Sequence, residues 1–173
     1  MIVPDDKDWT WVLERQCPEC GFNAQTFARE QVAAEARTNA ATWRRLLENP
    51  GVKARTRPDR WSVLEYACHV RDVFRVCDYR LERMLTEDGP HYANWDQDVS
   101  AADDRYDEQD PTVVGDEVVA AAEIIAARFE SVDDASWGRT GFRSDGASFT
   151  VESFARYVIH DPMHHLWDIG ISA

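Results

Sequence analysis

Apolar residues recur at three- and four-residue steps in four stretches of this chain, and turn-forming residues fill the joins between them. In the first stretch Val32, Ala36, Ala40, Trp43 and Leu47 share a face, which predicts a helix from about Arg29 to Glu48. Asn49-Pro50-Gly51 ends it, because proline cannot continue the hydrogen-bond ladder and glycine permits the turn out. The second stretch has the best-marked start. Ser62 and Glu65 form an S-x-x-E capping box, and Trp61 and Tyr66 stand where a hydrophobic staple places them. Its stripe runs from Val63 through Tyr66, Val70, Phe74 and Leu81 to Met84, and Glu87-Asp88-Gly89-Pro90 closes it. The third begins at Asp110 as N-cap with Pro111 at the first helical position, followed by Val114, Val118, Ala121, Ile125 and Phe129. The fourth begins near Thr150 and carries Val151, Phe154, Ala155, Val158, Leu166 and Ile169. Pro162 lies inside it, which predicts a kink and a freed carbonyl near Val158.

The joins are less regular. Trp9, Trp11 and Leu13 alternate with polar neighbours, as in a short extended piece, and Cys17-Pro-Glu-Cys20-Gly21 reads as a tight turn. The stretch from Glu87 to Asp110 holds nine acidic residues and one Arg, yet Tyr92, Trp95 and Tyr106 within it predict that parts pack down. Asp145-Gly146 can tip a small hairpin. Four helices without a convincing set of strands predict an all-α four-helix bundle with a long crossover between helices two and three. The 173 residues suit one domain, an irregular extension over 1–22 followed by a bundle over about 24–170.

A formal net charge of −13 argues against nucleic acid as a general partner, since binding phosphates needs clustered cations. No apolar run reaches the roughly 20 residues of a membrane span. The first eight residues lack the basic and apolar segments of a secretory signal. Four cysteines are too few for a disulfide scaffold, so a reducing cytoplasm is the expected location.

Histidine carries the candidate chemistry. His160 and His164, four apart, stack on one helix face within reach of one ion. His69 stands one turn past the capping box of helix two, beside its apolar stripe. Should helices two and four face each other, three imidazoles converge, a set that suits Zn²⁺ and also Ni²⁺, Co²⁺, Mn²⁺ or Fe²⁺, with a position left open for substrate. Asp72 or Asp168 can accept the outer ring N–H of a ligand histidine and fix its tautomer. Tyr157 and Trp167 flank the same stripe as pocket walls. His165 reads as a hydrogen-bonded wall residue, His91 as solvated, and Glu65 as a cap rather than a ligand.

Trp61-Ser62-x-x-Glu65-x-x-x-His69-Val70, together with His160-x-x-x-His164 in the last helix, resembles the DinB-like superfamily. Trp95-Asp96-Gln97-Asp98, Arg143-Ser-Asp-Gly146 and His160-Asp-Pro-Met-His-His-Leu-Trp-Asp168 are similar to an actinobacterial branch of it. The resemblance implies a divalent metal, zinc first, on His69, His160 and His164. It implies an enzyme of the thiol S-transferase kind, using mycothiol or a similar small thiol as co-substrate, in a family whose members often pair as dimers. A metal favours the thiolate, the reactive form, which then attacks an electrophile. The alternatives are hydrolysis at the same site and a non-catalytic ligand-binding bundle. Asp161, Tyr157 and His165 are the candidate general acids or bases. Trp95, Asp96, Gln97, Asp98 and Arg143 are the candidate pocket rim for the thiol.

Two further features take simpler readings. Cys17-Pro-Glu-Cys20 resembles half of a zinc ribbon, but a second C-x-x-C is absent. The pair therefore ranks as a turn with free thiols first, a redox pair second and a metal knuckle last. Arg44, Arg45, Lys53, Arg55, Arg57 and Arg60 form a basic stretch that reads as a solvated face balancing acidic neighbours.

Overall fold

The computed structural model describes residues 8–171, so the reading of a missing signal segment falls largely outside the described residues. Four long helices form the expected bundle: α1 (Val32–Leu46), α2 (Val63–Thr86), α4 (Pro111–Glu130) and α5 (Val151–Asp168). A short α3 (Gln97–Asp103) lies in the long connection between α2 and α4. Both α1 and α2 pack on α4 and on α5, so α1 and α2 occupy opposite corners. No helix of the described residues is long and apolar enough to cross a membrane.

Local chemistry sets the helix starts. Ser62 Oγ accepts from the Glu65 amide at 3.2 Å, Glu65 Oε2 accepts from the Ser62 amide at 2.8 Å, and Trp61 packs on Tyr66 with ring centroids 5.5 Å apart. Asp110 caps α4 through the amides of Thr112 and Val113, with Pro111 in the first turn. Thr150 caps α5 through the Ser153 amide at 3.0 Å. The apolar stripes then meet. Trp43, Leu64, Phe74, Val118, Ile125 and Phe154 are all fully buried. α5 runs through Pro162 without a break, and the Pro162 carbonyl accepts from Asn39 Nδ2 on α1 at 2.9 Å.

The connections hold more structure than periodicity shows. Trp9–Leu13 forms a 3-10 helix rather than an extended piece, capped by the Asp8 carboxylate on the Thr10 amide. Apolar alternation over five residues does not separate these two conformations. A three-stranded sheet joins β1 (His91–Tyr92), β2 (Thr140–Arg143) and β3 (Ser148–Thr150). β2 and β3 are the anticipated hairpin, with Gly146 at φ +100° in its turn. β1 pairs with β2 in parallel and so ties the loop after α2 to the segment before α5. Gly141 in β2 lies so close to Met84 that an added Cβ would fall 2.7 Å from its Cγ, which explains glycine there. Tyr92 and Tyr106 are buried as expected. Arg44 and Arg57 pair with the carboxylates of Asp116 and Asp59 at the surface, as on a solvated face, whereas Arg55 and Arg60 reach the buried carboxylate of Glu65 and the part-buried one of Asp168.

Candidate metal centre

α5 presents two adjacent rows of potential ligands. Residues one apart on a helix point about 100° apart, and residues four apart fall in line. Asp161 and His165 therefore share one row, and His160 and His164 share the next.

The structure divides the expected trio between these rows. His69 on α2 meets Asp161 and His165, and donor atoms of these three lie within 4.8 Å of one another. His160 and His164 instead gather with Cys17 and Cys20 under the same limit. His69, His160 and His164, expected on one ion, do not form one such group within this limit. The row of α5 that faces α2 begins one residue later than the H-x-x-x-H spacing suggests. A carboxylate, Asp161, takes the place of one imidazole.

His69 Nε2 lies 3.2 Å from Asp161 Oδ1, and His165 Nε2 lies 3.5 Å from the same oxygen. Ligand bonds of about 2.0–2.2 Å at tetrahedral angles give edges of about 3.3–3.6 Å. The donor set therefore fits a small divalent cation, and two imidazoles with one carboxylate suit Zn²⁺ or Fe²⁺. His165 Nδ1 lies 2.9 Å from Asp168 Oδ2, and Arg60 Nη1 donates to Asp168 Oδ1 at 3.3 Å. Asp168 thus fixes the tautomer that leaves Nε2 of His165 facing Asp161. It serves His165 rather than His164, whose Nε2 is 4.0 Å away. Asp72, the other candidate for this role, is taken by Arg71 at 2.8 Å and by the Tyr106 hydroxyl at 2.5 Å. The His69 ring is held between Trp61 and Trp95, and stacks on Trp95 with an interplanar angle of 6°.

Burial works against ionisation of Asp161, but the facing His69 and His165 outweigh it and hold the carboxyl well below the usual carboxylate range. Burial, with His164 beside it, pulls His160 down to about 4. Burial lowers His164 too, with the neighbouring His165 adding to it. These two imidazoles are neutral at neutral pH.

A cavity of ≈ 470 Å³ is lined by Asp161 and His165, by His160 and His164 of the neighbouring row, and by every residue of the expected rim: Trp95, Asp96, Gln97, Asp98 and Arg143; His69 lies behind this lining. The rim residues are less free than their positions in the chain imply. The Asp96 carboxylate caps α3 through the amides of Asp98 and Val99. Trp95 Nε1 donates to Ser100 Oγ at 2.7 Å. Arg143 grips Asp145, with Nε 2.9 Å and Nη2 2.8 Å from the carboxylate, and its Nη1 donates to Tyr157 Oη at 3.0 Å. Burial pushes the Tyr157 phenol above its ordinary value, so it keeps its proton at neutral pH. Cys77 also lines the cavity, but burial pushes its thiol up to about 12, which removes it as a nucleophile. Of the remaining candidates, Glu65 is the helix cap, and His91 is exposed and stacked on Phe142. Trp167 packs on His164, with ring centroids 5.4 Å apart.

Asp168→Asn tests the orienting role. Without the carboxylate the His165 ring loses its fixed tautomer, and metal affinity at this cluster is expected to fall by about 10–100-fold. Titration calorimetry measures it, and unchanged affinity would remove Asp168 from the site.

Sequence reasoning missed the approach of Asp161 to His69 and the grouping of Cys17 and Cys20 with histidine. The signal for the first was the second register of four-residue spacing, Asp161-x-x-x-His165, which lies directly beside the one noticed.

Comparisons with known proteins agree with this architecture. YfiT from Bacillus subtilis, described as a probable metal-dependent hydrolase with an unusual four-helix bundle topology, superimposes with a TM-score of 0.64. The match covers 98% of this chain and 94% of that one at 17% identity, a likeness of fold. A search of curated proteins returns no match. The family model of the DinB superfamily matches residues 27–169, most of the chain and all four long helices, and the chain belongs to the DinB superfamily.

Proposed function

We propose that this protein is a metal-dependent enzyme whose centre is His69, Asp161 and His165, and that it transfers a small thiol of the mycothiol type to an electrophile. The observation that carries the reading is a three-donor cluster, two members of which, Asp161 and His165, line a cavity large enough for a small co-substrate. Three protein donors leave an open position, as catalytic metal sites do. A divalent cation held there supplies Lewis acidity, which lowers the pKa of a thiol or water placed beside it.

The chain's own groups supply the rest. Trp9 and Trp95 offer aromatic faces to the body of the co-substrate, and Asn94, Gln97 and Asp98 offer hydrogen-bonding groups for its polar parts. Tyr157 accepts from Arg143 and keeps its own proton, so its hydroxyl can donate to an oxygen that gains charge during the reaction. Arg143, balanced by Asp145, positions that phenol.

A second reading is hydrolysis at the same centre. It is supported by the same vacant position and by the description of YfiT, the structural neighbour.

The two separate in one assay series. Metal-replete protein is incubated with mycothiol and a set of electrophiles, and thiol loss is followed. A matched set of esters and amides is assayed for hydrolysis. Thiol transfer predicts thiol consumption that chelation stops and Zn²⁺ restores. Hydrolysis without thiol consumption favours the second reading. A metal-loaded protein inactive in both sets contradicts the enzyme proposal.

A further inference from the structure

Cys17, Cys20, His160 and His164 form a second cluster, separate from the proposed catalytic one. We infer that it is a closed structural zinc site that fastens the N-terminal segment to α5.

The spacing has the Cys₂His₂ form. Two cysteines are separated by two residues, and two histidines are separated by three. The geometry agrees. Zn–S of about 2.3 Å and Zn–N of about 2.0–2.1 Å at a tetrahedral angle require a sulfur–nitrogen edge of about 3.5–3.6 Å. Cys17 Sγ and His164 Nδ1 are 3.6 Å apart. One donor atom from each of the four residues lies within 4.8 Å of the others.

The backbone has the form of a knuckle. The Gly21 amide donates to the Cys17 carbonyl at 3.0 Å, the Cys17 amide donates to the Phe22 carbonyl at 2.8 Å, and Gly21 takes φ +79°. This turn brings both cysteines to one side.

Polar satisfaction points the same way. His160 is 4% exposed, and its Nε2 has no hydrogen-bond partner among the described residues. An orphaned buried nitrogen is costly unless something occupies its lone pair, and His160 offers one ring nitrogen within 4.8 Å of donor atoms of two cysteines and another imidazole. His164 Nε2 lies 3.4 Å from Glu19 Oε2, an outer carboxylate that leaves Nδ1 for the cluster.

Aromatic rings pack on both histidines: Trp9 on each, Phe22 on His160 and Trp167 on His164. Four protein donors complete a tetrahedral shell, which marks a structural ion rather than a catalytic one, although His160 and His164 also border the cavity beside Asp161 and both cysteines border a second cavity. The cysteines would bind as thiolates, each releasing its proton to solvent.

The consequence reaches the cavity. The knuckle follows directly on the segment that carries Asp8 and Trp9, both of which line the cavity. An ion here would hold that segment against α5 on the row next to Asp161 and His165. Cys17 and Cys20 precede residue 27, where the family match begins, so half of this site lies outside the matched stretch.

The test uses the full chain with zinc and cobalt as probes. Zinc per chain is measured by elemental analysis after removal of loosely held metal. Two ions are expected for the unaltered protein. Cys17→Ser and His164→Ala should each lose one, Asp161→Ala should lose the other, and Cys68→Ser should lose none. Unchanged zinc in Cys17→Ser overturns the inference without touching the His69 cluster. Should the Cys17 and His164 variants fail to fold, the cobalt-loaded unaltered protein decides. Thiolate-to-cobalt charge transfer with intense tetrahedral ligand-field bands supports the site. Their absence, or a Cys17–Cys20 disulfide in metal-replete protein, overturns it.

Discussion

Asp161→Ala is expected to empty the cavity's metal site and lower turnover by at least about a hundredfold, with the helical fold retained. Asp161 Oδ1 lies within 3.5 Å of both His69 Nε2 and His165 Nε2, so its loss removes the donor shared by the other two. Even residues that only orient a ligand are worth about 10–100-fold in affinity or activity, and a ligand itself is worth more. The side chain is 35% exposed and faces the cavity, so its removal leaves no void in the core. Circular dichroism before and after the change should therefore match. Elemental analysis should show one fewer ion per chain. Full activity in this variant would exclude Asp161 from the chemistry.

Trp43→Ala is expected to produce the largest loss of stability, about 3–5 kcal/mol. Trp43 is 0% exposed on α1, the helix that packs on both α4 and α5. Its removal leaves a void that closely packed neighbours fill only in part. A domain of this kind has about 5–15 kcal/mol in all, so the variant retains little margin. Its thermal midpoint should fall by about 6–20 °C. Ile124, 56% exposed on α4, provides the contrast, since Ile124→Ala should shift stability by no more than about 0.5 kcal/mol. Equal effects at the two positions would contradict the packing described here.

The bundle was legible because its signals are local. A capping box at Ser62 and Glu65, a proline at the start of α4 and apolar stripes at helical spacing need no tertiary information to be read. The three short strands were not legible, since two to four residues carry no measurable period. The hairpin turn at Asp145-Gly146 was visible only through its turn chemistry.

The candidate metal centre was half legible. His69 and the last helix were the right places to look, and spacing showed which α5 side chains share a face. Spacing does not show which face meets α2. Two rows of potential ligands lie side by side on α5, at His160/His164 and at Asp161/His165, and only packing assigns one inward to His69 and the other toward the N-terminal turn. The same ambiguity concealed the partner of Cys17 and Cys20. The chain has no second C-x-x-C, and the donors grouped with Cys17 and Cys20 are imidazoles that lie about 140 residues away in sequence.

Anomalous scattering from zinc-loaded crystals, recorded at the zinc absorption edge, is the most direct test of the catalytic centre. The expected map has a peak bounded by His69 Nε2, an Asp161 carboxylate oxygen and His165 Nε2, open on its remaining side to the cavity. A peak joining His69 to His160 and His164, or no peak beside Asp161 at full zinc loading, would contradict it.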